Sequence, residues 1–175
     1  MENLKQIISE KAIKKRVEEI AKEISTTFNG EVPILVSVLN GSFIFASDLL
    51  RAIKVDCEID FIKVSTYSGN KSKGTIDFQK DISAEISNRH VIIVEDIIDS
   101  GLTVKFIRER FMSFDPKSIT IATLLMKPDV AKIDFEVNWV GFEIPPDYVV
   151  GYGLDYNQKF RNLRGIYILG GNNYE

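Results

Sequence analysis

Three carboxylates, two hydroxyls and a glycine share one short stretch of this chain: Glu95, Asp96, Asp99, Ser100, Gly101 and Thr103. The last three suit an anion. The opening N–H groups of a helix have no internal partner, and the helix dipole places roughly half a positive charge there. Gly101 lets the backbone approach a phosphate closely, and the hydroxyls of Ser100 and Thr103 add donors. Three carboxylates would repel that same phosphate, so they need other partners. Sugar hydroxyls, a divalent cation or a transferable proton would serve, and together these describe a sugar phosphate. The flanking residues supply the elements that must hold this group. Val91 to Val94 is an unbroken β-branched run, as in a central parallel strand, which puts Glu95 and Asp96 just past its carboxyl end. Val104, Ile107 and Phe111 recur at helical spacing and predict a helix from about Leu102 to Met112.

The run VIIVEDIIDSGLT, Val91 to Thr103, resembles the phosphoribosyl-pyrophosphate signature of the type I phosphoribosyltransferases, and Asp99 in this frame resembles the 6-oxopurine branch of that family. The resemblance implies that Ser100, Gly101, Leu102 and Thr103 hold a 5-phosphate, that Glu95 and Asp96 accept from ribose hydroxyls or touch a metal, and that Asp99 is the general base. It extends along the chain. LNGSFIFASDLLRAI resembles the loop that these enzymes place against pyrophosphate, often with a non-proline cis peptide, which assigns Leu39, Asn40 and Gly41 to that group. Asn40 stands where the family has a lysine or arginine. Read without the family, the same residues are a strand-to-helix turn. Thr66-Tyr67 resembles the family's Ser-Tyr pair on a flexible lid, with threonine in place of serine; the other reading is a hairpin connection running to a strand near Thr75 to Phe78.

LLMK resembles the strand whose lysine meets the purine 6-oxo group, here Lys127, although a solvated lysine at a strand end is common. VGFEIPPDYVVGYGLDY resembles the base-binding hood. It implies that Tyr148 stacks on the base, that Val149 offers backbone hydrogen bonds, that Asp155 contacts magnesium and that Arg161 reaches pyrophosphate. On its own, a tyrosine at position 148 is more often core.

The rest of the chain reads as scaffold. Ile13, Val17, Ile20, Ile24 and Phe28 form a helical stripe ended by Asn29-Gly30; Ile34 to Leu39 is a buried strand, and Ser42 to Ile53 an apolar helix. Further strands are predicted over Glu58 to Thr66, Ser118 to Met126, Val137 to Ile144, Tyr148 to Gly151 and Ile166 to Leu169. Alternating strand and helix pieces predict a parallel α/β sheet. The resemblance gives the type I phosphoribosyltransferase fold: a central, mainly parallel sheet flanked by helices, with a small hood and a lid.

The 175 residues fit one domain, 1–175, with 45% hydrophobic residues for a core. A formal charge of −3 gives no support for broad nucleic-acid binding. One cysteine, Cys57, and one histidine, His90, make a zinc site or a histidine triad improbable. The absence of a long apolar run predicts a soluble, cytoplasmic protein that binds no membrane. Gly69, Gly74 and Thr75 miss the nucleotide P-loop for want of its lysine. The acids and Lys127-Pro128 also echo a signalling receiver, but too few residues separate them for that fold.

The activity implied is transfer of 5-phosphoribosyl from phosphoribosyl pyrophosphate to hypoxanthine or guanine, assisted by magnesium, in a homo-oligomer, dimer or tetramer. The alternative is a protein of the same fold that binds RNA or regulates transcription.

Overall fold

The computed structural model describes residues 3–66 and 76–170. The elements run β1 (Asn3–Ile8), α1 (Glu10–Thr27), β2 (Ile34–Leu39), α2 (Phe43–Ala52), β3 (Glu58–Thr66), β4 (Ile76–Lys80), β5 (His90–Ile98), α3 (Leu102–Met112), β6 (Ser118–Met126), β7 (Trp139–Glu143), β8 (Val149–Val150) and β9 (Ile166–Gly170). A six-stranded sheet has the order β4-β3-β2-β5-β6-β7, parallel except for β4, and a separate three-stranded antiparallel sheet has the order β1-β9-β8.

Period-two alternation sends the strand side chains to two cores. Leu35, Ile92, Val94, Ala122 and Leu124 pack beneath α1 and α2, joined by Val149 and Ile166 of the small sheet. Ile34, Val36, Val38, Val91, Ile93 and Ile121 face α3 through Val104, Ile107 and Phe111. Both faces of β2 and β5 are therefore dry, which is why their sequences are continuous apolar runs. The N-terminus of α1 is capped by Ser9, whose hydroxyl accepts from Ala12 N at 3.3 Å. No helix among the described residues is long and apolar enough to cross a membrane.

The placement of the acids differs from the sequence reading. β5 does not stop before its acids but continues to Ile98, so Glu95 and Asp96 are strand residues. β2 pairs with β5 only as far as Ser37 opposite Val94, whereas β6 keeps pairing from Glu95–Thr123 to Ile98–Met126. The acids thus lie where β5 has lost one neighbour and kept the other. The predicted strands at 137–144 and 148–151 shorten to β7 and β8, and β1, which pairs with β9, was not foreseen.

Candidate active site

The carboxyl ends of β2, β5 and β6 open at one end of the sheet, where parallel α/β folds take their ligands. β2 delivers the turn Leu39–Gly41, and its Leu39–Asn40 peptide is cis. Two buried serines support the turn: Ser42 Oγ donates to Val38 O at 2.6 Å, and Ser37 Oγ, with that proton committed, donates to Ser42 Oγ at 2.7 Å. A Cβ on Gly41 would overlap Asp96 Oδ2, so only glycine lets the turn and the acid share this space.

Glu95 is 7% exposed, and its Oε2 has no hydrogen-bond partner among the described residues. Burial pushes its carboxyl well above the usual range, and the neighbouring Asp96 carboxylate, through its charge and a hydrogen bond, adds to the rise. Asp96 is raised too, by burial, against the opposing pull of the Glu95 hydrogen bond, Ile97 N at 2.9 Å and the Arg161 guanidinium. Both carboxyls are thus shifted upward, Glu95 the more strongly. The sequence reading placed both acids just past the strand; inside it, Glu95 is buried and Asp96 half-buried.

After β5, Ser100 and Gly101 turn the chain into α3. Gly101 has φ 84°, a Cβ there would overlap Ile133, and no side chain caps the helix. Leu102, Thr103 and Val104 therefore begin the helix with N–H groups available to an anion; the one local contact, Leu102 N to Ser100 Oγ, is long at 3.4 Å. Leu102 itself is 59% exposed, so its contribution is through the backbone.

Lys127, at the end of β6, is almost wholly buried, and its ammonium donates to Asp99 Oδ2 at 2.9 Å. The two residues are 28 apart in sequence, and nothing local signals the pairing. The β5–β6 register makes it, since Ile98 lies opposite Met126 and Lys127 N donates to Ile98 O at 3.0 Å. Asp99 remains half exposed and open to a ligand.

The small sheet carries the remaining candidates over the same end. Gly153, at φ 104°, approaches Gly41 so closely that a Cβ on it would overlap the Gly41 carbonyl. Arg161 Nη1 donates to Gly153 O at 2.7 Å, and Nη2 pairs with Asp155 Oδ1 at 2.8 Å. Asp155 and Arg161, given separate tasks by the sequence reading, thus neutralise each other here. Tyr148 is 50% exposed; its hydroxyl donates to Asp155 O at 2.9 Å, and its ring meets Tyr156 edge-on at 5.9 Å. Val149 is buried and pairs with Ile168. Thr66 ends β3 opposite Ile76, and Tyr67 lies outside the described residues.

No group of three His, Cys, Asp or Glu residues among the described ones forms a metal cage. Glu95, whose Oε2 has no partner among the described residues, and Asp96 beside it offer carboxylate oxygens of the kind a hard cation takes when a bound ligand and water supply the rest.

A strand with two acids, a left-handed glycine and an open helix start meets a glycine turn opposite and a buried lysine beside, an arrangement suited to receiving an anion. Residues 3–157 match the phosphoribosyl transferase domain, and the chain belongs to that family. It is 42% identical over 168 residues to the hypoxanthine-guanine phosphoribosyltransferase of Aquifex aeolicus, covering 95% of this chain and 94% of the relative. Among solved structures, a hypoxanthine-guanine phosphoribosyltransferase from Bacillus anthracis, with a HEPES molecule in its active site, superposes with a TM-score of 0.89 at 43% identity, covering 95% and 97% of the two chains. The hypoxanthine phosphoribosyltransferase of Trypanosoma cruzi in complex with the product IMP gives 0.90 at 34% identity, covering 99% and 97%. These names are all of enzymes and lend no support to the RNA-binding or regulatory alternative.

Proposed function

We propose that this protein is a purine-salvage enzyme that transfers the 5-phosphoribosyl group from phosphoribosyl pyrophosphate to hypoxanthine or guanine, yielding IMP or GMP and pyrophosphate. The observation that carries the reading is the convergence of the Glu95–Thr103 segment, the Leu39–Gly41 turn and the Lys127–Asp99 pair at one end of the sheet, in a chain 42% identical to enzymes of this name. Uncapped N–H groups after Gly101, with the hydroxyls of Ser100 and Thr103, receive the 5-phosphate. Asp96 and Glu95 accept from the ribose hydroxyls, and the Leu39–Gly41 turn with Arg161 receives pyrophosphate. Asp96, Glu95 and Asp155 would hold magnesium, which when bound supplies positive charge against the developing charge of the leaving pyrophosphate.

As the bond from the anomeric carbon to pyrophosphate breaks, that carbon becomes cation-like and a ring nitrogen of the base bonds to it. The proton on that nitrogen needs an acceptor, and Asp99, half exposed beside Lys127, is the group assigned to it. In the free protein Lys127 holds Asp99 at 2.9 Å. A purine entering between them takes the ammonium with its 6-oxo group and leaves the carboxylate to the ring N–H. Tyr148 stacks on the ring and Val149 meets its edge through backbone groups, while Thr66 and Tyr67 belong to the lid that keeps water off the reacting centre. A homo-oligomer, dimer or tetramer, completes the reading. Incubation with magnesium, phosphoribosyl pyrophosphate and hypoxanthine is expected to yield IMP and pyrophosphate in equal amounts; their absence would reject it.

A further inference from the structure

Tyr152 lies between Gly151 and Gly153 with φ 49°, a left-handed conformation that a bulky side chain seldom adopts unless its surroundings hold it there. It is 7% exposed, and its hydroxyl donates to Asp48 Oδ2 at 2.7 Å. Burial, with Asp48 beside it, pushes the phenol far above its ordinary range, so it stays a neutral donor. Asp48 belongs to α2, the helix that continues directly from the Leu39–Gly41 turn. The hydrogen bond therefore spans 104 residues to join the small sheet to the element that carries the pyrophosphate turn.

On the other side of Tyr152 the same segment reaches the ligand site. Tyr152 N donates to Leu163 O at 2.8 Å and Gly153 N to Arg161 O at 3.0 Å, while Arg161 Nη1 donates back to Gly153 O. Gly153 rests against the Gly41 carbonyl, and Gly41 against Asp96. The position of the Arg161 guanidinium relative to the turn is thus set through Gly153, and Gly153 follows Tyr152. Tyr152 and Asp48 line a cavity of about 1110 Å³ behind the turn, whose lining includes none of Leu39, Gly41, Asp96 or Arg161. Neither side chain is placed to touch a ligand in the site.

We infer that Tyr152 and Asp48 are a positioning pair that fixes the Gly153–Arg161 segment against the Leu39–Gly41 turn, and so governs affinity for the pyrophosphate group without contacting it. The inference rests on the reading of that turn and Arg161 as the pyrophosphate site. Asn40 sharpens it: with no cation on the turn, Arg161 and the backbone carry more of the anion's charge, and their placement matters more.

Steady-state kinetics of Tyr152→Phe, Asp48→Ala, Asp48→Asn and the Tyr152→Phe/Asp48→Ala pair test the inference. Tyr152→Phe and Asp48→Ala should each raise the KM for phosphoribosyl pyrophosphate and the inhibition constant for pyrophosphate about tenfold, the scale of a hydrogen bond to a charged group, with the hypoxanthine KM within about twofold. Asp48→Asn still presents an oxygen acceptor and should stay near wild type. The double variant should be no worse than either single one, since both remove the same contact. An unchanged donor KM in Tyr152→Phe, or an equal rise in both KM values together with a lower thermal midpoint, overturns the inference; should Tyr152→Phe not fold, the contrast between Asp48→Ala and Asp48→Asn decides. Wild-type protein is assayed first: failure to transfer and to bind pyrophosphate removes the site reading and the inference together, whereas a normal wild type with an indifferent pair removes the inference alone.

Discussion

The end of β5 and the small sheet contribute to one site in different ways. β5 and α3 bring Glu95 to Thr103 as a single continuous segment with most of its conformation written locally: β-branched strand residues, then a left-handed glycine, then helical spacing. The small sheet is assembled from β1, β8 and β9, so the chain must close on itself before Tyr148, Asp155 and Arg161 reach the same place. The first region's backbone is set largely by neighbours in sequence, the second's by contacts such as that of Gly153 with Gly41 and that of Tyr152 with Asp48. On the proposed function, the anion cradle is set mainly by local sequence and the placement of base and pyrophosphate by tertiary packing. Damage to the first region should therefore remove chemistry, and damage to the second should loosen binding.

The largest effect is expected at Asp99. Asp99→Asn keeps the shape and an oxygen for Lys127 but loses basicity, so turnover should fall by roughly two to four orders of magnitude while the KM for phosphoribosyl pyrophosphate hardly moves. Single-turnover measurement of IMP formation checks this; near-normal turnover would remove the general-base role. Next comes Gly41→Ala, where the two regions meet. Its Cβ overlaps Asp96 Oδ2, and a displacement of the acid by about 1 Å should cost on the order of 10²-fold in kcat/KM. Gly30→Ala is the control: there a Cβ meets open space, and at φ 82° the change should cost stability alone, about 1 kcal/mol. Equal kinetic losses in the two variants would mean that the Gly41 contact has no special part.

How much of this was legible in the sequence follows the same division. The β5–α3 segment could be read because its strand run, its glycine and its helical spacing lie together in the sequence, and the family resemblance supplied tasks for the residues it named. Even there, the acids were expected beyond the strand; only the register with β6 carries the strand through them, and that register is a property of two strands. The ion pair of Lys127 with Asp99 and the bond of Tyr152 to Asp48 had no local signal. β1 was missed because Asn3 to Ile8 is half polar and gains its strand character from β9. Ser37, a lone hydroxyl in the otherwise apolar run of β2, is a sequence signal for the turn that follows: it hydrogen-bonds Ser42 behind Leu39–Gly41.

A smaller effect is expected at Asn40. Restoring a cation with Asn40→Lys should tighten pyrophosphate by on the order of 1 kcal/mol, about fivefold, seen as a lower inhibition constant. Unchanged or weaker binding would show that the turn works through its backbone alone and that the tertiary region supplies all the charge required.

The smallest effect concerns a carboxylate outside both regions. Asp60 is partly desolvated, which raises its carboxyl, but N–H groups of Ala84, Phe61 and Ser83 and the ammonium of Lys80 outweigh that and hold it below the usual range. A lowered folded-state value means that the unfolded chain binds more protons, so this stability is present above the unfolded value, near pH 4, and is lost as pH falls through the folded one. Asp60→Asn should lower the thermal midpoint at pH 7 by about 2 to 4 °C and flatten its decline below pH 4, with kinetics intact. A midpoint that falls equally steeply in acid for both proteins would contradict the assignment.

The claim that the two regions together read a 6-oxopurine is tested most directly by giving the protein hypoxanthine, guanine and adenine side by side. Lys127 can donate to a 6-oxo group but has no acceptor for adenine's amine, and an unpaired buried charge costs at least about 1 to 3 kcal/mol. Initial rates of pyrophosphate release should be comparable for the two oxopurines and roughly tenfold to a hundredfold lower for adenine, and Lys127→Met should slow both oxopurines and narrow that gap. Adenine used as readily as hypoxanthine by the wild-type protein would contradict it.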